Sequence, residues 1–319
     1  MEEILKHFPT FAPAAGLVGT CCDAPHLDEL RLADPKTYVD WVLSEAGEQA
    51  LSQTENLISS AWKRSAGPPQ EYVWTTSVEF ERVAARVRRA ADLLAGSAAA
   101  EAREPTAEDA IEARAHLQKA AEVAKDWDMD EDFFRRVPEA RGDELDKLAH
   151  FATCVAHTRA IATLTSVETA AGLWRSLADL AGRNLDAEFQ PDDVVSPADA
   201  CLFMLREWSN IQAARLSAQV LYDAGRADAA LACAERAAAI AQEAHVTQRS
   251  TCAGAPFAFP SSAVVAEVFA FRERVAYVAQ RVTTTTGLLS AIGVGGRGSG
   301  NKVVFTSKLL AQIIALPEI

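Results

Sequence analysis

His150, Cys154 and His157 are separated by four and three residues, so on a helix they share one face. Imidazole and thiolate are metal ligands and acid–base groups, and Cys21, Cys22 and His26 form a second cluster of the same types. A closed zinc site generally takes two spaced pairs of ligands, and neither cluster offers a second pair. Asp192 and Asp193, and the run Asp128, Asp130, Glu131 and Asp132, sit in stretches with loop character. With no acceptor group beside them they read as solvating loops rather than general acids or bases. The segment GVGGRGSG, at 293–300, has the glycines of a phosphate cradle. It does not follow a strand, and no Gly-Lys-Ser/Thr comes after it, so it reads as a flexible connector. Carboxylate sites in helical bundles use Glu-x-x-His, a spacing that occurs nowhere in the chain. The expectation is a protein without catalytic residues, metal or cofactor, and not an enzyme.

One charged pattern stands apart. Arg82, Arg86 and Arg89 fall at i, i+4 and i+7 and form a basic stripe, a candidate contact for anionic lipid or an acidic partner. The competing reading is a solvated face paired with Glu79, Glu81 and neighbouring acids. The chain as a whole carries 31 Lys and Arg against 44 Asp and Glu, a net charge of −13. That balance argues against sequence-independent binding of nucleic acid, which depends on cations facing phosphate.

The elements that would position these residues are helical. The 319 residues include 49% hydrophobic side chains, much of that alanine. Residues 1–35 carry Pro9, Pro13, Pro25 and Pro35 and read as an irregular lead-in. From Pro35 the apolar spacing is helical: Tyr38, Trp41, Val42, Leu51, Leu57, Ile58 and Trp62 fit one helical face up to the break at Gly67-Pro68-Pro69. Long helices are predicted over about 77–103 and 106–126, the second opened by Thr106 and Asp109 as a capping start. Further helices are predicted over 143–165, 167–189, 196–224, 228–245 and 262–289, with no sustained strand alternation anywhere. The fold class is all-α. Alanine-lined helices approach closely, which favours a single elongated, curved body over 36–319 rather than two globes. No basic, apolar signal opens the chain and no run is long enough to span a bilayer, so a cytoplasmic protein with reduced thiols is expected. Whether the chain is part of a longer protein is left open.

Residues 218–241, AQVLYDAGRADAALACAERAAAIA, have the makings of a tetratricopeptide-like helical hairpin. Tyr222 is an aromatic wedge, Gly225 takes the corner, and Ala229, Ala230 and Ala237 are the small residues where two helices cross. The order of this hairpin behind Trp74, the S-x-x-F-E start at Ser77, Phe80 and Glu81, and the run His116, Leu117, Gln118, Lys119, Ala120 and Ala121 is distinctive. Within the hairpin, Asp223, Gly225, Ala230 and Leu231 match a D-x-G-x-x-x-x-A-L pattern, and the ending runs from Asn301 to Pro317. In this order the chain resembles the BRO-one domain family, the ALIX-like adaptors of the ESCRT membrane-remodelling pathway, over roughly 36–319. Two departures are the short lead before residue 36, where the family has a β-hairpin-like segment, and VAARVRRAADLL, which lacks the family's Phe-Asn pair.

The resemblance implies an endosome-associated scaffold whose apolar groove on the helix pair 143–189 takes an amphipathic helix of an ESCRT-III subunit. The matching positions are Leu173 and Leu177, with Trp174 and Leu180 beside them and Val155 on the preceding helix. An i, i+4 apolar pair suits a helix-in-groove interface, and it equally suits a core. Peripheral membrane contact through the basic stripe belongs to the same expectation. The alternatives are a generic tetratricopeptide-like adaptor for another helical or acidic peptide, and an all-α ligand carrier or enzyme built on His150, His157 and Glu168.

Overall fold

The computed structural model describes residues 1–14, 34–52, 60–65, 72–75, 77–97, 103–127, 131–183, 185, 194–247, 251–252, 255–256 and 259–291. Among these the chain is mostly helical, in agreement with the expected class. The clusters at Cys21, Cys22 and His26 and at Asp192 and Asp193, the glycine segment 293–300 and the ending from Asn301 to Pro317 lie outside the described residues, as do Leu57, Ile58, Asp128 and Asp130.

The contacts group the chain into two compact units, where the sequence placed one body over 36–319. The first comprises Met1–Thr163, Leu177–Arg206 and Thr247–Phe259, and the second Leu164–Ser176, Glu207–Val246 and Pro260–Ile319.

The first unit begins with α1 (Glu2–Leu5) and β1 (Phe11–Pro13), then α2 (Pro35–Val42) and α3 (Glu45–Ser52). Strands β2 (Ser60–Arg64) and β3 (Tyr72–Thr75) complete an antiparallel sheet in the order β1-β2-β3, with Phe11 opposite Arg64 and Ala61 opposite Trp74. This corrects two expectations. Residues 1–14 are no irregular lead-in, because Ile4, Phe8 and Phe11 are buried and β1 is paired. Trp62 lies in a strand rather than on a helical face, fully buried.

Helix α4 (Val78–Ala95) starts where Ser77 accepts a hydrogen bond from the Phe80 amide at 3.2 Å. It stops eight residues short of the predicted Arg103, because Gly96 turns left-handed at φ 74° and closes the helix with its amide on Leu93. An added Cβ there would meet the Arg103 carbonyl oxygen at 2.4 Å, so the close approach also requires glycine. The predicted capping start of α5 (Ala107–Asp126) is present in full: the Asp109 amide donates to Thr106 Oγ1 at 3.3 Å, and the Thr106 amide to Asp109 Oδ2 at 2.7 Å. After α6 (Glu131–Arg136) and a 3-10 turn at Pro138–Ala140 comes α7 (Gly142–Ala162). Helix α5 packs against α4 and α7 through Ala110, Ala113, Leu117, Ala120 and Ala121, all essentially unexposed. Alanine on this face lets three long helices approach closely. Around the start of α4, Phe80 sits edge-on to Phe11 and Phe133, each with ring centroids 5.4 Å away.

Helix α8 (Val167–Gly182) follows, then β4 (Val194–Val195), α9 (Pro197–Asp223), α10 (Ala227–Thr247), β5 (Thr251–Cys252), β6 (Ala255–Pro256) and α11 (Ser262–Ala291). In the second unit α9, α10 and α11 share a core: Ala218, Tyr222, Ala230, Ala234, Phe271 and Val275 form one cluster. Ile211, Ala237, Ala241 and Val268 belong to another. The α9–α10 corner is Gly225, at φ 74°, whose amide bonds Tyr222 O at 2.9 Å. Ala230 and Ala237 are buried at the crossing as expected, whereas Ala229 is only half-buried. An added Cβ at Gly225 would meet nothing within 4 Å, so only the backbone conformation resists substitution. Gly225→Ala is therefore expected to destabilise by about 1 kcal/mol, and Gly225→Asn by less, in urea melts.

Candidate functional site

The structure divides the five predicted groove residues. Leu173 and Trp174 belong to the second unit, and Val155, Leu177 and Leu180 to the first. Leu173 is 42% exposed, one of few large apolar side chains presented to solvent among the described residues. Leu180 is half-buried. Leu177 is 2% exposed, Trp174 8% and Val155 0%, so these three are packing residues and cannot form an open docking surface. The expected i, i+4 pair is thus corrected. Four residues turn a helix by only about 40° beyond a full circle, so the two leucines share a face of α8, and burial rather than helical phase separates them: Leu177 is covered and Leu173 is not. On the same face as Leu173, Thr169 and Ser176 are exposed.

The basic stripe is corrected more completely. Arg82 donates to the Glu48 carbonyl at 3.1 Å, and Arg86 bonds the Glu48 carboxylate. Arg89 reaches Asp40 at 3.2 Å and Glu112 at 4.0 Å. Arg86 is only 8% exposed. These arginines tie α4 to α2, α3 and α5, and their charge is met inside the first unit rather than offered to lipid. Neither Glu79 nor Glu81, the acids named from sequence, is the partner: Glu79 takes a bond from Ser77, and buried Glu81 accepts from Tyr38 Oη at 2.9 Å. The true partners Glu48 and Asp40 lie 34 to 49 residues away and Glu112 sits on the next helix, all beyond the reach of local charge patterning.

His116 packs beside this group. Burial, followed by the charges of Arg86, Arg89 and Lys119, pushes its imidazole down from 6.5 to about 4. Glu112 stands 3.8 Å from its Nε2, but at half exposure it does not offset burial and the three cations. The Nδ1 atom is enclosed without a hydrogen-bond partner.

The histidine and cysteine face resolves into separate structural roles. His150 Nε2 is 2.9 Å from the Leu180 carbonyl oxygen. The buried Cys154 Sγ lies 3.9 Å from His150, and burial pushes this thiol up to about 12, the opposite of what a nucleophile requires. His157 and Glu168 are exposed and belong to different units. Among the described residues no three His, Cys, Asp or Glu side chains are placed to hold a metal ion, and no helix is long and apolar enough to cross a membrane.

A polar group not visible in the sequence joins α7 to the start of α9. Lys147 Nζ is 2.9 Å from Asp199 Oδ2 and 3.5 Å from Glu144 Oε1, and Ser196 donates to Asp199 at 2.9 Å while capping α9. Burial pushes the Glu144 carboxyl up. A lysine held between two carboxylates fastens two helices; 52 residues separate Lys147 from Asp199, so no spacing rule would have joined them. No protein-family model, no curated protein and no solved structure matches the chain.

Proposed function

We propose that the chain is a protein-interaction scaffold of the BRO-one kind, which binds an amphipathic helix of an ESCRT-III subunit or a similar partner in membrane-remodelling traffic. With no family model matching, the reading rests on the chain's own residues. The observation that carries it is that the residues bearing the resemblance hold the packing roles such a scaffold needs. Ser77 caps α4, Phe80 fills the aromatic core, Leu117, Ala120 and Ala121 line the inner face of α5, and Gly225 turns the hairpin. The antiparallel β2–β3 pair ahead of α4 also supports it, supplying a β-hairpin-like segment of the sort the family carries. Binding on this reading centres on the exposed Leu173.

Pull-down with C-terminal helices of ESCRT-III subunits tests it. Leu173→Asp is expected to weaken capture at least about tenfold, roughly 1.4 kcal/mol, with the melting temperature near that of wild type. Leu177→Asp serves as the folding control, because a carboxylate at a 2% exposed position unfolds the helix pair. Absence of binding by the wild type, or unchanged binding by Leu173→Asp, overturns the proposal.

A further inference from the structure

Within the second unit, α9 and α11 leave a solvent-open cleft of about 110 Å³. That is several times the ~10–15 Å³ needed by a single water. Its floor is Ile211, Val268 and Phe271, exposed by 1%, 6% and 3%. Trp208 and Val264, both half-buried, form one end. Ile211 and Val268 belong to one core cluster and Tyr222 and Val275 to the other, so the two helices run in the same direction along the cleft. The opposite end is therefore formed by Arg215 and Arg274. From Trp208 to Arg215 is seven residues, about 10 Å along the helix axis.

No close ion pair engages the charge at that end among the described residues. Arg215 is half-buried, its Nε is enclosed without an acceptor, and among the described residues no carboxylate lies within ion-pair distance of it. Glu267 and Arg274 are its charged neighbours, both exposed on α11, and they oppose each other electrostatically. A guanidinium held at the end of an apolar trough, with Glu267 near it but no carboxylate in ion-pair contact among the described residues, is complementary to an acidic side chain on whatever enters. Arginine suits such a position because its planar fork engages carboxylate oxygens in pairs.

We infer that the α9–α11 cleft is a docking site for an amphipathic segment of a partner protein that carries two apolar side chains one turn apart and an acidic side chain one turn beyond them. On a helix, residues i, i+4 and i+7 cover 6 Å and about 10 Å of axis, which matches the floor and the arginine end. Leu173 does not line this cleft, so the site stands or falls separately from the reading above.

Fluorescence anisotropy with a labelled, capped alanine-rich peptide carrying Leu, Leu and Glu at i, i+4 and i+7 tests it on the full chain. The Glu peptide is expected to bind at least about tenfold more tightly than its Gln analogue. Arg215→Gln should close that gap while leaving the affinity for the Gln peptide unchanged. Arg274→Gln, at an exposed position, should give a smaller loss in the same direction, and Val264→Asp should remove binding of both peptides. Absence of binding, equal binding of the Glu and Gln peptides, or a gap that survives Arg215→Gln overturns the inference. Loss of peptide binding in Leu173→Asp would also overturn it, by showing that the cleft is not a separate site.

Discussion

Glu139→Gln is expected to destabilise the first unit by about 3–5 kcal/mol, close to the whole stability of many domains. Glu139 is 1% exposed, and its two oxygens take Nε and Nη2 of Arg64 at 2.5 Å and 2.9 Å. Arg64 Nη1 also donates to the Arg136 carbonyl at 2.8 Å. The guanidinium, 5% exposed, has no route to water, so removing the carboxylate charge leaves a buried cation without compensation. The pair fastens β2 to the turn ahead of α7, 75 residues later in the chain. Arg64→Met should be nearly as damaging, because Glu139 is then the orphan. Arg64→Met combined with Glu139→Met should recover most of the loss, since an apolar pair of similar volume needs no counter-charge. Urea denaturation of the four proteins in a double-mutant cycle gives the coupling directly. Additive losses, with the double variant as unstable as the sum of the singles, would show that the two charges do not depend on each other.

That buried pair also marks where sequence reasoning stopped. Helices were legible because their signals are local. Thr106 and Asp109 announced a capping box, Pro35 a first turn, and Gly225 a left-handed corner, each within four residues of the feature it creates. The sheet was not legible. Strand β2 reads Ser-Ala-Trp-Lys-Arg, and Ala61, Trp62 and Arg64 are all buried while Lys63 is exposed. An ion-paired arginine inside the core breaks the apolar–polar alternation by which a strand is recognised. The candidate site was obscured for the same reason. Nothing local distinguishes Leu173, which faces solvent, from Leu177, which does not, because the distinction lies in what covers each along α8. Likewise Arg82, Arg86 and Arg89 resemble a surface stripe until Glu48, Asp40 and Glu112 are brought to them by folding. The α9–α11 cleft is a further case, since Trp208, Ile211 and Arg215 share a face on their own helix but enclose nothing until α11 lies beside them.

Between pH 7 and pH 5 the first unit is expected to lose about 2 kcal/mol through His116 alone, rising to about 3 kcal/mol by pH 4. Its imidazole titrates near 6.5 in the unfolded chain and near 4 in the fold. Below 6.5 the unfolded state therefore takes up a proton that the native state refuses, and each pH unit in the window between the two values favours unfolding. Stability from this group is fully present above 6.5 and is lost as pH falls towards 4. The side chain is 21% exposed, so solvent screens it little. The groups facing it are Arg86 and Arg89 from α4, and Lys119 and Glu112 from α5. The three cations outweigh the one carboxylate. Carboxylates complicate the lower part of the window. Asp109 and Asp143 are held below their usual range by hydrogen bonds and arginine neighbours against the opposing effect of burial, and their contribution is lost only under more acid conditions. Glu144, pushed up by burial, acts in the opposite sense. The range from pH 7 to pH 5 therefore isolates the histidine best. His116→Gln removes the titration while keeping a polar side chain at the position, so its stability should be flatter than wild type over that range by about 2 kcal/mol, whatever the offset at pH 7. Urea melts of both proteins at pH 7, 6 and 5 measure the difference. Parallel pH profiles would show that His116 is free to protonate in the fold, and that the three cations beside it are better screened than their packing implies.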